Sequence, residues 1–133
     1  MVAVLDWSYE TVLAAEPVSA GKAREFVCLY LAAHDLPHLV DDIRLVVSEL
    51  ATNAVAHAQS SFTVTLARQN GSVRLTVQDE SATLPVRGEP DLMDMSGRGL
   101  MLVALLSHAW GTTGGGSGRK SVWASFPSAQ RGL

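Results

Sequence analysis

The sequence predicts an α+β fold, a two-layer sandwich in which helices cover one face of a mainly antiparallel mixed sheet. Residues 19–34 and 38–58 both show helical periodicity of their apolar side chains. Residues 61–68 and 72–79 alternate apolar and polar side chains and are joined through Asn70-Gly71, which is a strong β-hairpin signal. A third helix and two short strands follow. This order of elements gathers the helices on one side of a sheet.

The first half of the chain is predicted to contain one strand and two helices. Residues 2–9 predict a short strand, and the first helix begins near Ser19, after Glu16-Pro17. Asp35-Leu36-Pro37 ends that helix. The second helix covers 38–58, and its apolar stripe is expected to pack on the core. The stripe consists of Ile43, Val47, Leu50, Ala54 and Ala58.

The second half of the chain completes the sheet and adds a long loop. Residues 80–96 contain two prolines and several acids without a clear period, which indicates a loop that is either a functional lid or disordered. A helix then runs from Gly97 to about His108. The last two strands, near 109–113 and 121–126, flank a glycine-rich turn.

Composition limits the kind of protein. The 133 residues fit one domain, 1–133, with no internal repeat, and 47% apolar with 17% charged residues is typical of a globular chain. A formal charge of -3 without a cluster of Lys or Arg argues against direct nucleic-acid binding. The single cysteine suits a reducing compartment, and no apolar run is long enough for a membrane span. We therefore expect a cytoplasmic protein.

The second helix carries a row of polar residues beside its apolar stripe. Glu49, Asn53 and His57 are spaced by four, so their side chains share one helix face at the rim of the core. The amide oxygen of Asn53 is a suitable Mg²⁺ ligand, and Glu49 can accept a proton. The alternative is an exposed helix edge with Asn53 bonded to backbone. An asparagine in mid-helix lowers helix propensity, which favours a functional role.

Two further features have both a functional and a structural interpretation. Gly97-Arg98-Gly99-Leu100 fits phosphate binding at a helix N-terminus, or equally a flexible hinge. Asp79 ends its strand where the long loop begins and is either an acceptor at the sheet edge or a turn cap. The stretch 114–121 resembles a Walker A loop but has Arg119 in place of the second glycine and precedes a strand, so we reject that motif.

Four side chains receive structural interpretations. His57 is expected to pack or hydrogen-bond near the helix end rather than transfer protons. Cys28 is expected in the core. Trp110 and Trp123 lie on adjacent predicted strands, and we expect them to pack against each other.

Several motifs together resemble a known superfamily. Residues 49–58, ELATNAVAHA, resemble the N box of the GHKL superfamily, the ATP-binding (Bergerat) fold shared by DNA gyrase and the sensor histidine kinases. Val77-Gln78-Asp79-Glu80-Ser81 stands where the first glycine box belongs, and Gly97-Arg98-Gly99-Leu100 where the second does. Within the superfamily, three further segments resemble the compact actinobacterial anti-sigma-factor serine kinases. They are Ala23-Arg24-Glu25-Phe26-Val27, Leu45-Val46-Val47-Ser48-Glu49, and Trp110-Gly111 with Lys120-Ser121-Val122-Trp123-Ala124.

The resemblance implies roles for individual residues. It implies that Glu49 is the general base, that Asn53 is the Mg²⁺ ligand, and that Asp79 accepts a hydrogen bond from the adenine amino group. Arg24 matches the position that contacts protein partners. The residues implied to contact ATP are Asn53, Asp79, Ser81, Gly97, Arg98, Gly99, Leu100 and Ser121, with the ATP lid at about 80–96.

Three functions follow from this comparison. The first is an anti-sigma factor that holds a sigma factor and phosphorylates a serine or threonine of an anti-anti-sigma (STAS-type) antagonist, with self-association into a homodimer as a further option. The second is a non-catalytic module that sequesters a partner and is tuned by nucleotide. Both glycines of the usual Asp-x-Gly-x-Gly box are missing from Asp79-Glu80-Ser81-Ala82-Thr83, which favours the second. ATP hydrolysis that drives a conformational change is the weakest, because we see no second domain to move.

Overall fold

Five strands form one antiparallel sheet, and three helices cover one of its faces. The computed structural model describes residues 5–57, 61–79, 98–114 and 120–129. The elements are β1 (Leu5–Ala14), α1 (Val18–Ala33), a short 3₁₀ helix (Pro37–Leu39), α2 (Val40–His57), β2 (Ser61–Gln69), β3 (Ser72–Asp79), α3 (Arg98–Leu106), β4 (Ala109–Gly114) and β5 (Lys120–Pro127). The α+β prediction is confirmed. The predicted lid and Ala58 lie outside the described residues.

The strands are ordered β1-β2-β3-β5-β4, and each neighbouring pair is antiparallel. The predicted hairpin between β2 and β3 is present. Asn70 and Gly71 at its turn both have positive φ values, 54° and 80°, as a two-residue turn that matches the strand twist requires. Because β5 lies between β3 and β4, the chain enters β4 at the edge of the sheet and then returns through β5, which pairs with β3.

The core lies between the sheet and the helices. Successive strand residues point to opposite faces, so one alternate set from each strand is turned toward the helices and buried. That set includes Phe62, Val64 and Leu66 of β2, Val73, Leu75 and Val77 of β3, and Val122, Ala124 and Phe126 of β5. In α2 the predicted stripe residues Ile43, Val47, Leu50 and Ala54 are all fully buried, and so are Val46 and Ala51.

Two element boundaries differ from the prediction for identifiable reasons. β1 reaches Ala14 instead of ending at residue 9, because it pairs with β2 along the whole strand, up to Ala14 opposite Ser61. α3 ends at Leu106 instead of His108. The Ser107 hydroxyl bonds to the backbone oxygen of Val103, and the His108 amide donates to Ser125 O at 2.8 Å, so the chain has already joined the sheet.

The expected contact between Trp110 and Trp123 is wrong. Trp110 lies opposite Ala124, and Gly111 lies opposite Trp123, so the two tryptophans are on different faces of the sheet. The Trp123 ring instead lies over Gly111, where an added Cβ would be only 2.8 Å from ring atom Cζ2. The guanidinium carbon of Arg74 is 4.0 Å from the centre of the same ring on the open face of the sheet.

α1 is held against β1 by stacked rings. The rings of Tyr9 and Tyr30 stack with centroids 3.7 Å apart, and those of Trp7 and His34 with centroids 4.3 Å apart. The Tyr9 hydroxyl and His34 Nε2 also share a hydrogen bond of 2.8 Å. Cys28 on this helix is partly buried against the core. None of the helices in the described ranges has the length and apolar character that a membrane crossing demands.

Candidate functional site

The polar row of α2 lies at the edge of the core, as its spacing predicts. Glu49 and Asn53 are half-buried, whereas their neighbours Leu50 and Ala54 are fully buried. The rotation of α2 is fixed by burial of its apolar stripe, so these two polar side chains can neither enter the core nor turn fully to solvent. The helix ends at His57, whose side chain is not described.

Asn53 makes the backbone contact that we considered as the structural alternative. Its side-chain Nδ2 donates a hydrogen bond of 2.7 Å to the backbone oxygen of Glu49. Since the donor end of the amide is used in this way, Oδ1 is the end that can coordinate a cation. The bond therefore also orients the side chain, and it links the two polar residues of the row directly.

Asp79 lies on the same side of the sheet as α2. It is the last residue of β3, is half-buried, and shares the face of Leu75 and Val77, on which α2 packs. Only residues 58–60 separate the end of α2 from Ser61, and Phe62 lies opposite Asp79. The C-terminal end of α2 and the end of β3 are consequently at the same end of the sheet, on its helix side, with Asn53 in the last turns of α2 and Glu49 one turn before Asn53.

Ser121 is on the opposite face. It lies opposite Gln78 and is hydrogen-bonded to the hydroxyl of Thr113. Because side chains alternate along β5, buried Val122 points toward the helices and Ser121 points away from them. The structure therefore does not bring Ser121 together with Glu49. The strand residue on the helix side at this end is Lys120, which sequence reasoning missed. Side chains two residues apart on a strand share a face, so apolar Ala124 and Val122 predict that Lys120 lies on the helix side.

α3 contributes the end of the second glycine motif. The helix begins at Arg98, Gly99 is buried, and Leu100 packs against the core. α3 also packs on α2, so its N-terminal turn belongs to the helix layer that carries Glu49. Ser81, Gly97 and the side chain of Arg98 lie outside the described residues.

Arg24 is tied to α2 close to the polar row. Its Nη1 donates a hydrogen bond of 3.0 Å to the hydroxyl of Ser48, the residue before Glu49. A shallow groove runs beside this bond and is lined by Arg24, Asp41, Arg44, Leu45 and Ser48. Arg24 is half-buried and Leu45 is 42% exposed, so the groove combines charge with accessible apolar surface.

Comparison with known proteins identifies the family. The sequence profile described as the histidine kinase-like ATPase domain matches residues 13–126, from β1 to β5. The chain belongs to the histidine kinase-like ATPase domain family. An ATPase domain binds nucleotide, and the matched residues include Glu49, Asn53 and Asp79. No curated protein sequence matches the chain significantly.

Among solved structures, the chain is similar to one described as the crystal structure of the RsbU and RsbW domains of Rv1364c from Mycobacterium tuberculosis. The TM-score is 0.69 at 23% sequence identity, and the match covers 91% of this chain and 32% of that chain. The two proteins therefore share the histidine kinase-like fold, and this chain corresponds to about a third of the other.

We expect Asn53→Ala to separate folding from function in this ATPase domain. The variant loses one hydrogen bond, about 0.5–1.5 kcal/mol, but gains helix propensity of up to about 0.7 kcal/mol, so its free energy of unfolding should stay within about 1 kcal/mol of wild type. Its Mg²⁺-dependent nucleotide affinity should fall. Urea unfolding and calorimetric titration measure the two quantities.

The neighbouring Thr52 is exposed and gives the control variant Thr52→Ala, for which both quantities should remain near wild type. Loss of more than about 2 kcal/mol of stability in Asn53→Ala, well above the net value of one such hydrogen bond, would make the Asn53 bond primarily structural.

Proposed function

We propose that this domain is an ATP- and Mg²⁺-dependent serine/threonine kinase that holds a sigma factor and phosphorylates an anti-anti-sigma (STAS-type) antagonist. The observation that supports this most is that Glu49 and Asn53 of α2 and Asp79 of β3 lie on one side of the sheet within a histidine kinase-like ATPase domain. The sequence resemblance to compact anti-sigma-factor kinases and the fold shared with a structure that contains an RsbW domain point the same way.

The donor and acceptor groups at this end suit a magnesium nucleotide. Asp79 offers a carboxylate, which in its ionised form only accepts hydrogen bonds and so suits the amino group of adenine. Asn53 offers its amide oxygen, a hard ligand of the type that Mg²⁺ binds. No group of three or more His, Cys, Asp or Glu side chains that could hold a metal occurs in the described ranges.

Phosphoryl transfer needs position and charge from the protein more than covalent chemistry. Bound Mg²⁺ would supply positive charge to the phosphate oxygens. The Glu49 carboxylate would orient the hydroxyl of the acceptor serine or threonine and take its proton as that oxygen bonds to the γ-phosphorus and ADP leaves. Asn53 would hold its oxygen toward the metal through its bond to Glu49 O. The α3 N-terminus would present backbone N–H groups to the phosphates.

The groove beside Arg24 is the surface that we propose for the protein partner. Ser48 of α2 lines this groove and accepts the hydrogen bond from Arg24, and Glu49 follows Ser48 about 100° further around the helix. Arginine is frequent at the energetic centres of interfaces, and exposed Leu45 adds apolar area next to it. A partner that offers a carboxylate to Arg24 would fit both features.

A second function is favoured by one sequence observation. The segment Asp79-Glu80-Ser81-Ala82-Thr83 lacks both glycines of the usual box, so the backbone there is less free to approach a nucleotide closely. A domain with this change would act as a binding module that sequesters its partner, with nucleotide adjusting the affinity. Mass spectrometry of the co-purified complex, with and without ATP, distinguishes the two functions because it identifies the partner and its phosphate together.

Glu49→Gln should retain ATP binding and lose phosphoryl transfer. The amide has nearly the same shape as the carboxylate but cannot take a proton, so we expect a rate loss of about 10²-fold or more. ATP affinity by calorimetry and phosphate incorporation into the captured antagonist measure the two steps. Glu10 on β1 is exposed and lies away from the proposed site, and Glu10→Gln is the matched control, with a wild-type rate. A wild-type rate in Glu49→Gln contradicts the general-base role.

Arg24→Ala should weaken partner binding by more than about 1 kcal/mol while ATP affinity stays near wild type. Two further variants show whether the Arg24 side chain itself, its hydrogen bond or its charge is needed for partner binding. Ser48→Ala removes the hydrogen bond to Arg24 but keeps the charge, so it should weaken partner binding less than Arg24→Ala does. Arg44→Ala removes an exposed charge from the same groove and reports the general effect of charge. Titration with nucleotide and with the captured partner measures each variant. An unchanged partner affinity, or a lost ATP affinity, in Arg24→Ala rules out this assignment.

A further inference from the structure

A groove lies at the start of α2, at the other end of this helix from the proposed nucleotide site. Its volume is about 490 Å³, a size typical of small-molecule sites, and its walls come from the start of α2, the end of α3 and the end of β5. Asp42 lines the groove, and Asn53 is three helical turns further along α2, roughly 16 Å away. The groove is therefore separate from the proposed site.

One wall of the groove is fixed by hydrogen bonds. His38 Nε2 donates to the backbone oxygen of Ser128 at 2.9 Å, since a carbonyl oxygen can only accept. The Ser128 amide in turn donates to Gly71 O at 2.9 Å. These bonds tie the segment after β5 to the 3₁₀ helix and to the turn between β2 and β3. The shape of the groove is therefore held by the protein itself, and such pre-organisation lowers the cost of binding a ligand.

The groove has an unpaired negative charge. Asp42 is the one carboxylate among the described residues that line it, and these include no Lys or Arg. Asp42 is half-buried, and no hydrogen bond or ion pair joins it to another residue in the described ranges. Because a carboxylate that is partly removed from water loses hydration, a cation that donates hydrogen bonds is the group that would compensate it.

The position of Asp42 in the first turn of α2 does not account for its burial. A carboxylate there can be stabilised by free backbone N–H groups, but Asp41 in the same turn supplies such a charge while exposed to solvent. The 3₁₀ helix also runs directly into α2, so the Val40 amide already donates to Pro37 O. The helix start therefore does not require a second carboxylate inside the groove.

Apolar side chains line the groove beside Asp42. Leu105 is 72% exposed at its rim, and Leu106 is half-buried. Leu39 and Phe126 are buried and lie deeper. An aliphatic chain placed along these residues would remove apolar surface of Leu105 from water, which is favourable in proportion to the area covered. The groove thus offers an anion and an apolar surface to the same ligand.

We propose that this groove binds a small organic ammonium compound with an aliphatic chain. The ammonium group donates to the Asp42 carboxylate, and the chain lies against Leu105 and Leu106. A free small molecule is the occupant, because the apolar surface continues inward to Phe126, which is only 2% exposed. This inference goes beyond the proposed kinase function and needs no nucleotide.

The test compares hexylammonium, hexanol and hexanoate, which share one chain length and differ in charge. Each is titrated at pH 8, where histidine is ordinarily neutral, into ¹⁵N-labelled protein without nucleotide. Wild type should bind hexylammonium about tenfold or more tightly than hexanol, as expected for a charged hydrogen-bonded pair, and hexanoate more weakly than hexanol. The shifted amide resonances should centre on Asp42, Leu106 and Ser107.

Two variants with matched charge complete the test. Asp42→Asn should bind hexylammonium and hexanol equally. Asp41→Asn removes the same charge from an exposed position in the same helical turn, outside this groove, and should keep the wild-type preference.

Equal binding of hexylammonium and hexanol by wild type, or shifts centred on another surface, overturns the proposal without any variant, so the test does not depend on how Asp42→Asn folds. A preference that survives in Asp42→Asn overturns it as well. Loss of the preference in Asp41→Asn also overturns it, because the effect would then come from the overall charge of the helix start. None of these results bears on the proposed kinase function, which is tested with nucleotide.

Discussion

The rotation of α2 on the sheet is the constraint on which the candidate site depends. Six of its side chains are fully buried: Ile43, Val46, Val47, Leu50, Ala51 and Ala54. Burial of each Ile, Val or Leu side chain among them stabilises the fold by about 1.5–3 kcal/mol. Against that sum, no single polar contact could turn the helix. Glu49 and Asn53 are therefore held at the rim by apolar packing that occurs elsewhere on the same helix.

The two-residue alternation of the strands sets which side chains lie on the same face of the sheet as α2. Asp79 and Lys120 are on the helix side because Val77 and Val122 are buried there, two residues away from each. Ser121 is excluded by the same rule, although it is adjacent in sequence to Lys120. A one-residue slip of β5 would move Ser121 to the helix side and Lys120 to the open face. The same slip would expose Val122 and Ala124 on the open face, so their burial fixes the register of β5.

The sequence was sufficient for those features that depend on local patterns. Helical periodicity located α2 and the position of its polar row, and Asn70-Gly71 located the hairpin. Features that depend on pairing between distant strands were missed. The contact of Trp123 with Gly111 and Arg74, and the position of Ser121 on the open face of the sheet, follow from the register of β5 with β3 and β4, which no local pattern contains. Asn53 makes the backbone bond that the structural interpretation expects, and its role as a metal ligand stays a prediction.

The central claim is that the nucleotide and its metal lie against the C-terminal half of α2 on the helix side of the sheet. Paramagnetic broadening of assigned ¹⁵N–¹H resonances by Mn²⁺-ATP tests it most directly, with Mn²⁺ alone and Mg²⁺-ATP as references. We predict that Mn²⁺-ATP broadens the amides around Asn53 and Glu49 most strongly and that the indole resonance of Trp123, on the opposite face, is affected far less. Broadening centred on Trp123 and Arg74, or the same pattern with Mn²⁺ alone, would contradict the account.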